Sequence, residues 1–401
     1  MNQGLTLTFW LLLFLIFYTY IGYGILLFII VKLKRLVKNK KEERFDYEPE
    51  VTLVIPAFNE EHYIEDKALN SLGLDYPKSK LRILFITDGS TDGTREILEE
   101  IDGVEVVHED RRGGKSAAEN RAMKYVQTPI VIFCDANTEL NRESVRELVK
   151  HYADAKVGGV SGEKRISMKS QSNASGAGEG MYWKYESFLK KLDSELLTIV
   201  GAAGELVSFR TELVEDLEED TILDDFIQSL RICEKGYRMV YEPKAYAVEM
   251  SSENVKEELK RKIRIAAGGW QAMYRLRHLL NPFKDFVFTF QYISHRVLRW
   301  SISAISLPMI FLLNFLLIYN EPISSNVYHI LFLAQVSFYL LAIIGWYLES
   351  KNLRIKALFV PYYFTMMNYA VLVGFSRWLK GKQRATWEKS ARMKVENNQT
   401  L

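Results

Sequence analysis

Apolar residues are concentrated at both ends of this chain, and charged residues are concentrated between them. Residues 9–31 contain no charged side chain. As a helix they would reach about 35 Å, enough to cross the hydrocarbon core of a bilayer. Three further apolar stretches, residues 300–319, 327–348 and 357–375, are also long enough to span. The pattern therefore predicts a protein held in a membrane at both ends.

Basic residues follow the first and the last apolar stretches and indicate the topology. They are Lys32, Lys34, Arg35, Lys38, Lys40 and Lys41, and then Arg377, Lys380, Lys382, Arg384, Lys389, Arg392 and Lys394. Because basic flanks stay in the cytoplasm, we expect the N terminus outside and both the middle of the chain and its tail inside. A secretory signal peptide fits less well, since its basic residues would precede the apolar core. A cytosolic tail requires residues 357–375, which contain Pro361 and Asn368, to re-enter or to lie at the interface.

Between residues 50 and 250, short apolar runs alternate with helical patterns. The predicted strands are residues 51–55, 81–86, 104–107 and 130–134, and the predicted helices are residues 60–72, 94–101 and 115–125. Alternation of this kind predicts an α/β domain, a Rossmann-like, doubly wound parallel sheet, here flanked by transmembrane helices. Ligands of such sheets bind beyond the carboxyl ends of the strands.

Polar loops follow these strands. Asp135 and Asn137, directly after the fourth strand, offer two oxygens that suit a hard cation bridging to a diphosphate, or alternatively form an Asx turn. Residues 56–61 and 88–93 also have the composition of helix N-caps. Residues 111–115, Arg-Arg-Gly-Gly-Lys, have the composition of a phosphate cradle at a helix start, a weak signal when it occurs alone.

Composition narrows the class of protein. The net charge of +2 argues against a dedicated nucleic-acid binder. Cys134 and Cys233 lack metal-site spacing and fit a reducing compartment. Basic residues of the later part of the domain are expected on a solvated or membrane-facing surface; they are Lys164, Lys169, Lys184, Lys190 and Lys191.

The motifs together resemble family 2 glycosyltransferases with a GT-A fold, and in particular membrane polysaccharide synthases of the hyaluronan, cellulose and poly-N-acetylglucosamine type. The residues that carry the resemblance are Pro56-Ala-Phe-Asn-Glu60, Asp88-Gly-Ser-Thr-Asp92, Arg111-Arg-Gly-Gly-Lys115, Asp135-Ala-Asn137, Val200-Gly-Ala-Ala-Gly-Glu205, Asp224-Asp225 with Arg231, and Arg261-Lys-Ile-Arg264. Residues 383–389 loosely resemble the cytosolic gating loops of such synthases.

The resemblance implies a role for each matched position. Asp225 would be the catalytic base, although a pair of carboxylates there could also simply cap the helix predicted at residues 226–235. The donor site would comprise Pro56, Asn59, Glu60, Asp88, Lys115, Asp135, Asn137 and Arg264, with Asp88 at the nucleotide base. The acceptor side would comprise Gly204, Glu205, Asp224 and Trp270. Asp135 and Asn137 would hold Mg²⁺ or Mn²⁺. The family usually has Asp where Asn137 stands and an aromatic residue where Ile265 stands.

The implied function is inverting transfer of a hexosyl or N-acetylhexosaminyl unit from a nucleotide sugar, a UDP-sugar by expectation, to a growing glycan or lipid-linked acceptor. The enzyme would lie in the bacterial inner membrane, with its catalytic domain cytosolic and possible export or assembly partners. Two alternatives remain: single transfer to a polyprenyl phosphate or glycolipid, and a catalytically silent subunit of an envelope-polysaccharide export complex. The expected divisions are a transmembrane anchor with a basic linker (1–48), a GT-A domain (49–252), interfacial helices (253–294), membrane helices (295–378) and a basic tail (379–401).

Overall fold

The computed structural model describes residues 3–37, 47–167, 174–319, 326–351, 355–384 and 386. Several predicted basic positions lie outside these described residues; they are Lys38, Lys40, Lys41, Lys169, Lys389, Arg392 and Lys394.

The chain forms eight strands and fourteen α-helices within the described ranges. The strands are β1 Val51–Ala57, β2 Leu81–Asp88, β3 Glu105–Glu109, β4 Ile130–Cys134, β5 Thr138–Leu140, β6 Val157–Ile166, β7 Leu206–Arg210 and β8 Arg238–Glu249. The helices are α1 Gln3–Phe17, α2 Tyr23–Val37, α3 Ile64–Leu72, α4 Thr94–Glu99, α5 Lys115–Met123, α6 Ser144–Val149, α7 Ala174–Leu196, α8 Asp224–Glu234, α9 Val255–Arg275, α10 Phe286–Tyr292, α11 Leu298–Trp300, α12 Ile302–Tyr319, α13 Asn326–Ser350 and α14 Lys356–Leu379.

All eight strands form one sheet in the order β3-β2-β1-β4-β7-β6-β8-β5. The four strands predicted from sequence are mutually parallel, with β1 between β2 and β4. The expectation of an all-parallel sheet is incomplete, because β7 pairs antiparallel with both β4 and β6. The sheet is therefore mixed, with a parallel half that carries the predicted loops.

Helices cover both faces of the sheet, as a doubly wound fold requires. Along β1, Leu53 and Ile55 pack into one core with α3, and the intervening Val54 packs into the other core with α5. Because successive side chains of a strand point to opposite faces, a strand buried on both sides is apolar at nearly every position. That composition is what identified these strands in the sequence.

The chain divides into two compact units. The sheet unit comprises the described residues of Ile30–Gln171, Glu179–Ser251 and Arg384–Leu401, and the membrane unit those of Met1–Ile29, Ser172–Gly178 and Ser252–Gln383. Among the described residues, four helices are long and apolar enough to cross a membrane by length and composition; they are Gln3–Val37, Ile302–Tyr319, Val327–Glu349 and Ala357–Leu379.

Inside the membrane unit, α1 and α12 are packed together. Phe9 is fully buried against Ile310 and Leu317. A hydrogen bond of 2.9 Å from the Ser303 hydroxyl, near the start of α12, to the Thr19 hydroxyl, two residues after α1, adds a polar contact. The first span therefore packs directly on one of the later ones.

Candidate active site

The predicted polar loops meet at one edge of the sheet. β1, β2 and β4 run parallel, so the residues at and just after their carboxyl ends, including Asp88 and Asp135, emerge on the same side. β7 runs the other way and begins with Leu206 opposite Cys134. Gly204 and Glu205, just before β7, are therefore brought to the same edge as Asp135.

Lys115 is the central cation of this edge. It is the first residue of α5, and its Nζ lies 2.7 Å from an Asp135 oxygen, 3.4 Å from Asp224 and 3.9 Å from Glu119. Burial alone would lower the pKa of Lys115, but the surrounding carboxylates hold it well above its ordinary value. The lysine is therefore a fixed positive charge, suited to facing a diphosphate.

Gly204 allows Asp225 to approach Lys115. A Cβ at Gly204 would lie 3.0 Å from the Lys115 Nζ and 3.3 Å from an Asp225 oxygen, so these two groups face each other across a residue without a side chain. Burial, and then the charge of Asp224, raise the pKa of Asp225 to about 7. A carboxylate with that pKa is matched to taking a proton near neutral pH.

Asp224 and Asp225 open helix α8, two residues before its predicted start. One Asp225 oxygen accepts a hydrogen bond of 2.8 Å from the Phe226 N–H, so this carboxylate also satisfies a helix-terminal donor. The buried carboxylate of Asp224 also turns toward Lys115, because both acids are drawn to the same cation.

Asp88 organises the basic loop. Its carboxylate accepts hydrogen bonds from the N–H groups of Gly113 (3.0 Å) and Gly114 (2.6 Å), and it pairs with Arg121 at 3.3 Å. Its predicted role at the nucleotide base stays a prediction, since in this arrangement the carboxylate holds the Gly-Gly turn in place.

Asn59 and Glu60 join the first two loops. Asn59, in a left-handed conformation with φ of 54°, accepts a hydrogen bond of 2.8 Å from the Thr91 N–H, and the Glu60 N–H donates one of 2.8 Å to the Thr94 hydroxyl. These residues follow Pro56 at the end of β1. The Arg112 guanidinium stacks over the neighbouring Phe58 ring at 3.7 Å. The loops of the expected donor site are thus tied to one another.

A residue of the C-terminal tail also reaches this edge. Gly114 has a φ of 93°, and a Cβ added to it would lie 3.4 Å from Thr386. Thr386 therefore lies beside the turn that Asp88 holds. The resemblance of residues 383–389 to gating loops stays a prediction, and positions 385 and 387–389 lie outside the described residues.

The sequence did not reveal that Lys164 is the ion-pair partner of Glu205. The fully buried Lys164 ammonium on β6 pairs with Glu205 at 2.6 Å and also with Glu249 on β8. The expectation that Lys164 and Lys190 lie on a solvated face is wrong, because both are buried. The acidic partners of Lys164 come from distant parts of the chain, so no local pattern marked this residue. Lys184 and Lys191 are exposed, as expected.

Arg264 and Trp270 lie on α9, in the membrane unit. The Trp270 ring packs against Phe375 with centroids 4.4 Å apart and stacks with Trp378 at 6.0 Å. The predicted roles of Arg264 and Trp270 at the donor and acceptor stay predictions.

This edge of the sheet can bind a divalent cation only when a substrate supplies further ligands. Among the described residues, no cluster of three or more His, Cys, Asp or Glu side chains could hold a metal ion. Asp135 and Asn137 supply one carboxylate and one amide oxygen, which fits Mg²⁺ or Mn²⁺ when phosphate oxygens complete the coordination. The Asp135 carboxylate is shared with Lys115, so the donor set is weak by itself.

Comparison with known proteins identifies the domain. Residues 52–217 match the model of glycosyl transferase family 2. The chain is 29% identical over 237 residues to a poly-β-1,6-N-acetyl-D-glucosamine synthase of Staphylococcus aureus, and 26% identical over 235 residues to that of Staphylococcus epidermidis. Each match covers 56% of this chain and 56% of the relative, so the chain spans little more than half the length of these relatives.

A solved structure has the same fold. The mannosyltransferase PcManGT of Pyrobaculum calidifontis, in complex with GDP-mannose and Mn²⁺, superposes with a TM-score of 0.70 at 22% identity, covering 94% of this chain and 99% of that one. The expected α/β GT-A-like sheet with apolar helices at both ends is thereby confirmed. The chain carries a glycosyl transferase family 2 domain and is a distant homologue of the poly-β-1,6-N-acetyl-D-glucosamine synthases.

Proposed function

We propose that the protein is an inverting glycosyltransferase that moves a sugar from a nucleotide diphosphate sugar to a hydroxyl of a growing glycan or lipid-linked acceptor at the membrane. The observation that carries the proposal is the convergence of Asp225, Lys115 and Asp135 at the sheet edge. The distant homology to poly-N-acetylglucosamine synthases supports a UDP-linked N-acetylhexosamine as the donor.

Asp225 acts as the general base. A sugar hydroxyl is a poor nucleophile, so a carboxylate that takes its proton during attack contributes about 10²–10⁴-fold to the rate. The acceptor oxygen forms a bond to the anomeric carbon while the bond from that carbon to the diphosphate oxygen breaks. The bonding electrons leave with the diphosphate. A single displacement of this kind inverts the anomeric configuration.

Lys115 and the Gly113–Gly114 turn receive the diphosphate. The ammonium offers a positive charge, and the N-terminus of α5 favours negative charge. A divalent cation bound by Asp135 and Asn137 would neutralise the charge that develops on the leaving group. Lys115 would then exchange its contact with Asp135 for one with phosphate oxygens.

The catalytic domain and the tail lie on the cytosolic side in this proposal. The contact of Thr386 with Gly114 supports a tail on the same side as the active site. It follows that α14 does not cross completely. Two contacts within the membrane unit support this. Gly345 of α13 lies against Leu358 near the start of α14. Gly374, near the end of α14, lies against α9, and α9 in turn touches Trp300, the last residue of α11, just before α12. Both ends of α14 would thus lie near the cytosolic face.

Full-length protein in nanodiscs tests the proposal. It is incubated with Mn²⁺, lipid-linked and oligosaccharide acceptors, and UDP-N-acetylglucosamine, UDP-glucose, UDP-glucuronate or GDP-mannose in turn. We expect acceptor-dependent nucleotide release with one donor, an inverted product by NMR, and loss of both with Asp135→Ala. Absence of release with every donor would instead support the silent-subunit alternative.

A further inference from the structure

A small, partly open cavity lies beside the proposed base. Its volume is about 20 Å³, and residues of α5, β4, β7 and α8 line it. Three of its lining residues are acidic and close to the active site: Glu119, Asp224 and Asp225. The rest of the wall is largely apolar, with Phe133 and Phe209 among its members. A cavity of this volume has room for a water molecule, which the acidic wall would hydrogen-bond.

Glu119 and Asp224 form a carboxyl pair on this wall. Glu119 is buried one turn after Lys115 on α5, and its carboxylate and that of Asp224 lie 3.9 Å and 3.4 Å from the same Lys115 Nζ. Both acids also line the cavity, so they are close neighbours in a poorly solvated place. Burial, and then the charge of Asp224, raise the pKa of Glu119 well above its ordinary value, which favours a proton on this pair. The pair can therefore hold and pass on a proton next to Asp225.

The proposed reaction needs a route for that proton. Each transfer moves one proton from the acceptor hydroxyl to Asp225, and the base must lose it before the next cycle. Bound donor and acceptor would restrict direct access of solvent to Asp225 during transfer. The cavity that Asp225 lines is also lined by Glu215, whose side chain is 49% exposed to solvent, so the cavity joins the base to the protein surface.

We propose that the Glu119–Asp224 carboxyl pair relays the proton from Asp225 into the cavity, from which it leaves past Glu215. The relay rests on the proposed glycosyl transfer. In it, Asp225 passes its proton to the pair, and the pair passes a proton to the cavity water and on to solvent. No other reactant is consumed, and the pair returns to its starting protonation state. Glu119 thus serves as a proton carrier that never touches the sugar.

Glu119→Gln separates a relay from a purely structural role. Glutamine has the shape of the protonated glutamic acid and can likewise donate a hydrogen bond, but it cannot pass a proton on. With pre-formed donor complex in low buffer, we expect a normal first turnover of about one nucleotide per enzyme, followed by a steady-state rate about tenfold slower, a smaller loss than removal of the base itself. Imidazole at high concentration should restore the steady-state rate, and Glu119→Asp, which keeps an ionisable group, should restore part of it.

The possible outcomes are distinguishable. A wild-type steady-state rate for Glu119→Gln, with an unchanged solvent deuterium isotope effect, overturns the relay while leaving the glycosyl transfer intact. Loss of the first turnover also overturns it, because Glu119 would then act in the transfer itself. If Glu119→Gln does not fold, the relay is tested on the wild-type protein. It then requires a solvent deuterium isotope effect on the steady-state rate that is absent from the first turnover. Absence of transfer by the wild type contradicts the proposed function instead.

Discussion

Removal of the Lys164 ammonium should destabilise the sheet unit strongly. Lys164 has no exposed side-chain area, and it lies between Glu205 and Glu249, the latter 2% exposed. Lys164→Met keeps the length of the side chain but leaves two carboxylates without their shared cation. Breaking a buried ion pair by removing one partner destabilises a protein by about 3–5 kcal/mol.

The expected magnitude is large enough to measure by thermal unfolding. For a unit of about 200 residues each kcal/mol lowers the Tm by about 2–4 °C, so we expect a decrease of roughly 6–20 °C. Tryptophan fluorescence reports on the site, since the Lys164 Nζ lies 5.2 Å from the Trp183 ring centroid. The exposed Lys184, on the same helix as Trp183, provides the control: Lys184→Met should change stability by at most about 0.5 kcal/mol.

A compensated variant tests the cause. Lys164→Met combined with Glu205→Gln and Glu249→Gln removes all three charges, so no buried carboxylate is left without a cation. We expect most of the lost Tm to return. A decrease below 2 °C for Lys164→Met, or no recovery in the triple variant, would refute the reasoning from buried charge.

Three further predictions concern the reaction and the topology. The value of kcat/KM should fall as the pH drops through about 7, because Asp225 must be ionised to act as the base. Asp224→Asn should move this fall to lower pH, because the Asp224 charge helps to raise the pKa of Asp225. A pH profile that Asp224→Asn leaves unchanged on the acid side would contradict this. Asn137→Asp should lower the Mn²⁺ concentration for half-maximal activity by adding a charged ligand, whereas Asp135→Ala should abolish transfer. If Asp135→Ala keeps metal-independent activity, the donor site is wrongly assigned. Thr386→Cys should react with an impermeant maleimide only in inside-out vesicles; labelling of intact cells would place the tail outside.

Much of the fold could be predicted because the parallel strands are short and apolar at nearly every position. β4, Ile130–Cys134, has the predicted bounds. β6 was missed because its sequence begins with Val157-Gly-Gly and contains charged residues, so it lacks the apolar run that marks a strand. Its stability comes from non-local pairing with β7 and β8, which a local pattern does not reveal.

The candidate site could be predicted in part. Asp135 and Lys115 were found because the ends of parallel strands must share one edge. Lys164 and Glu119 were not found, because their significance depends on partners that only the folded chain supplies. Lys164 meets Glu205, 41 positions away, and Glu119 meets Asp224 at the start of α8. In the sequence each is simply a charged residue in a polar stretch.

The central claim is that Asp225 is the catalytic base, and Asp225→Asn tests it most directly. Asparagine caps a helix as well as aspartate does, so α8 should form, and the variant should keep the wild-type Tm and the wild-type affinity for the nucleotide. Its turnover, measured as acceptor-dependent nucleotide release in nanodiscs, should fall about 10²–10⁴-fold, and Asp224→Asn should lose far less. Transfer by Asp225→Asn at the wild-type rate would contradict the account and leave this carboxylate as a helix cap alone.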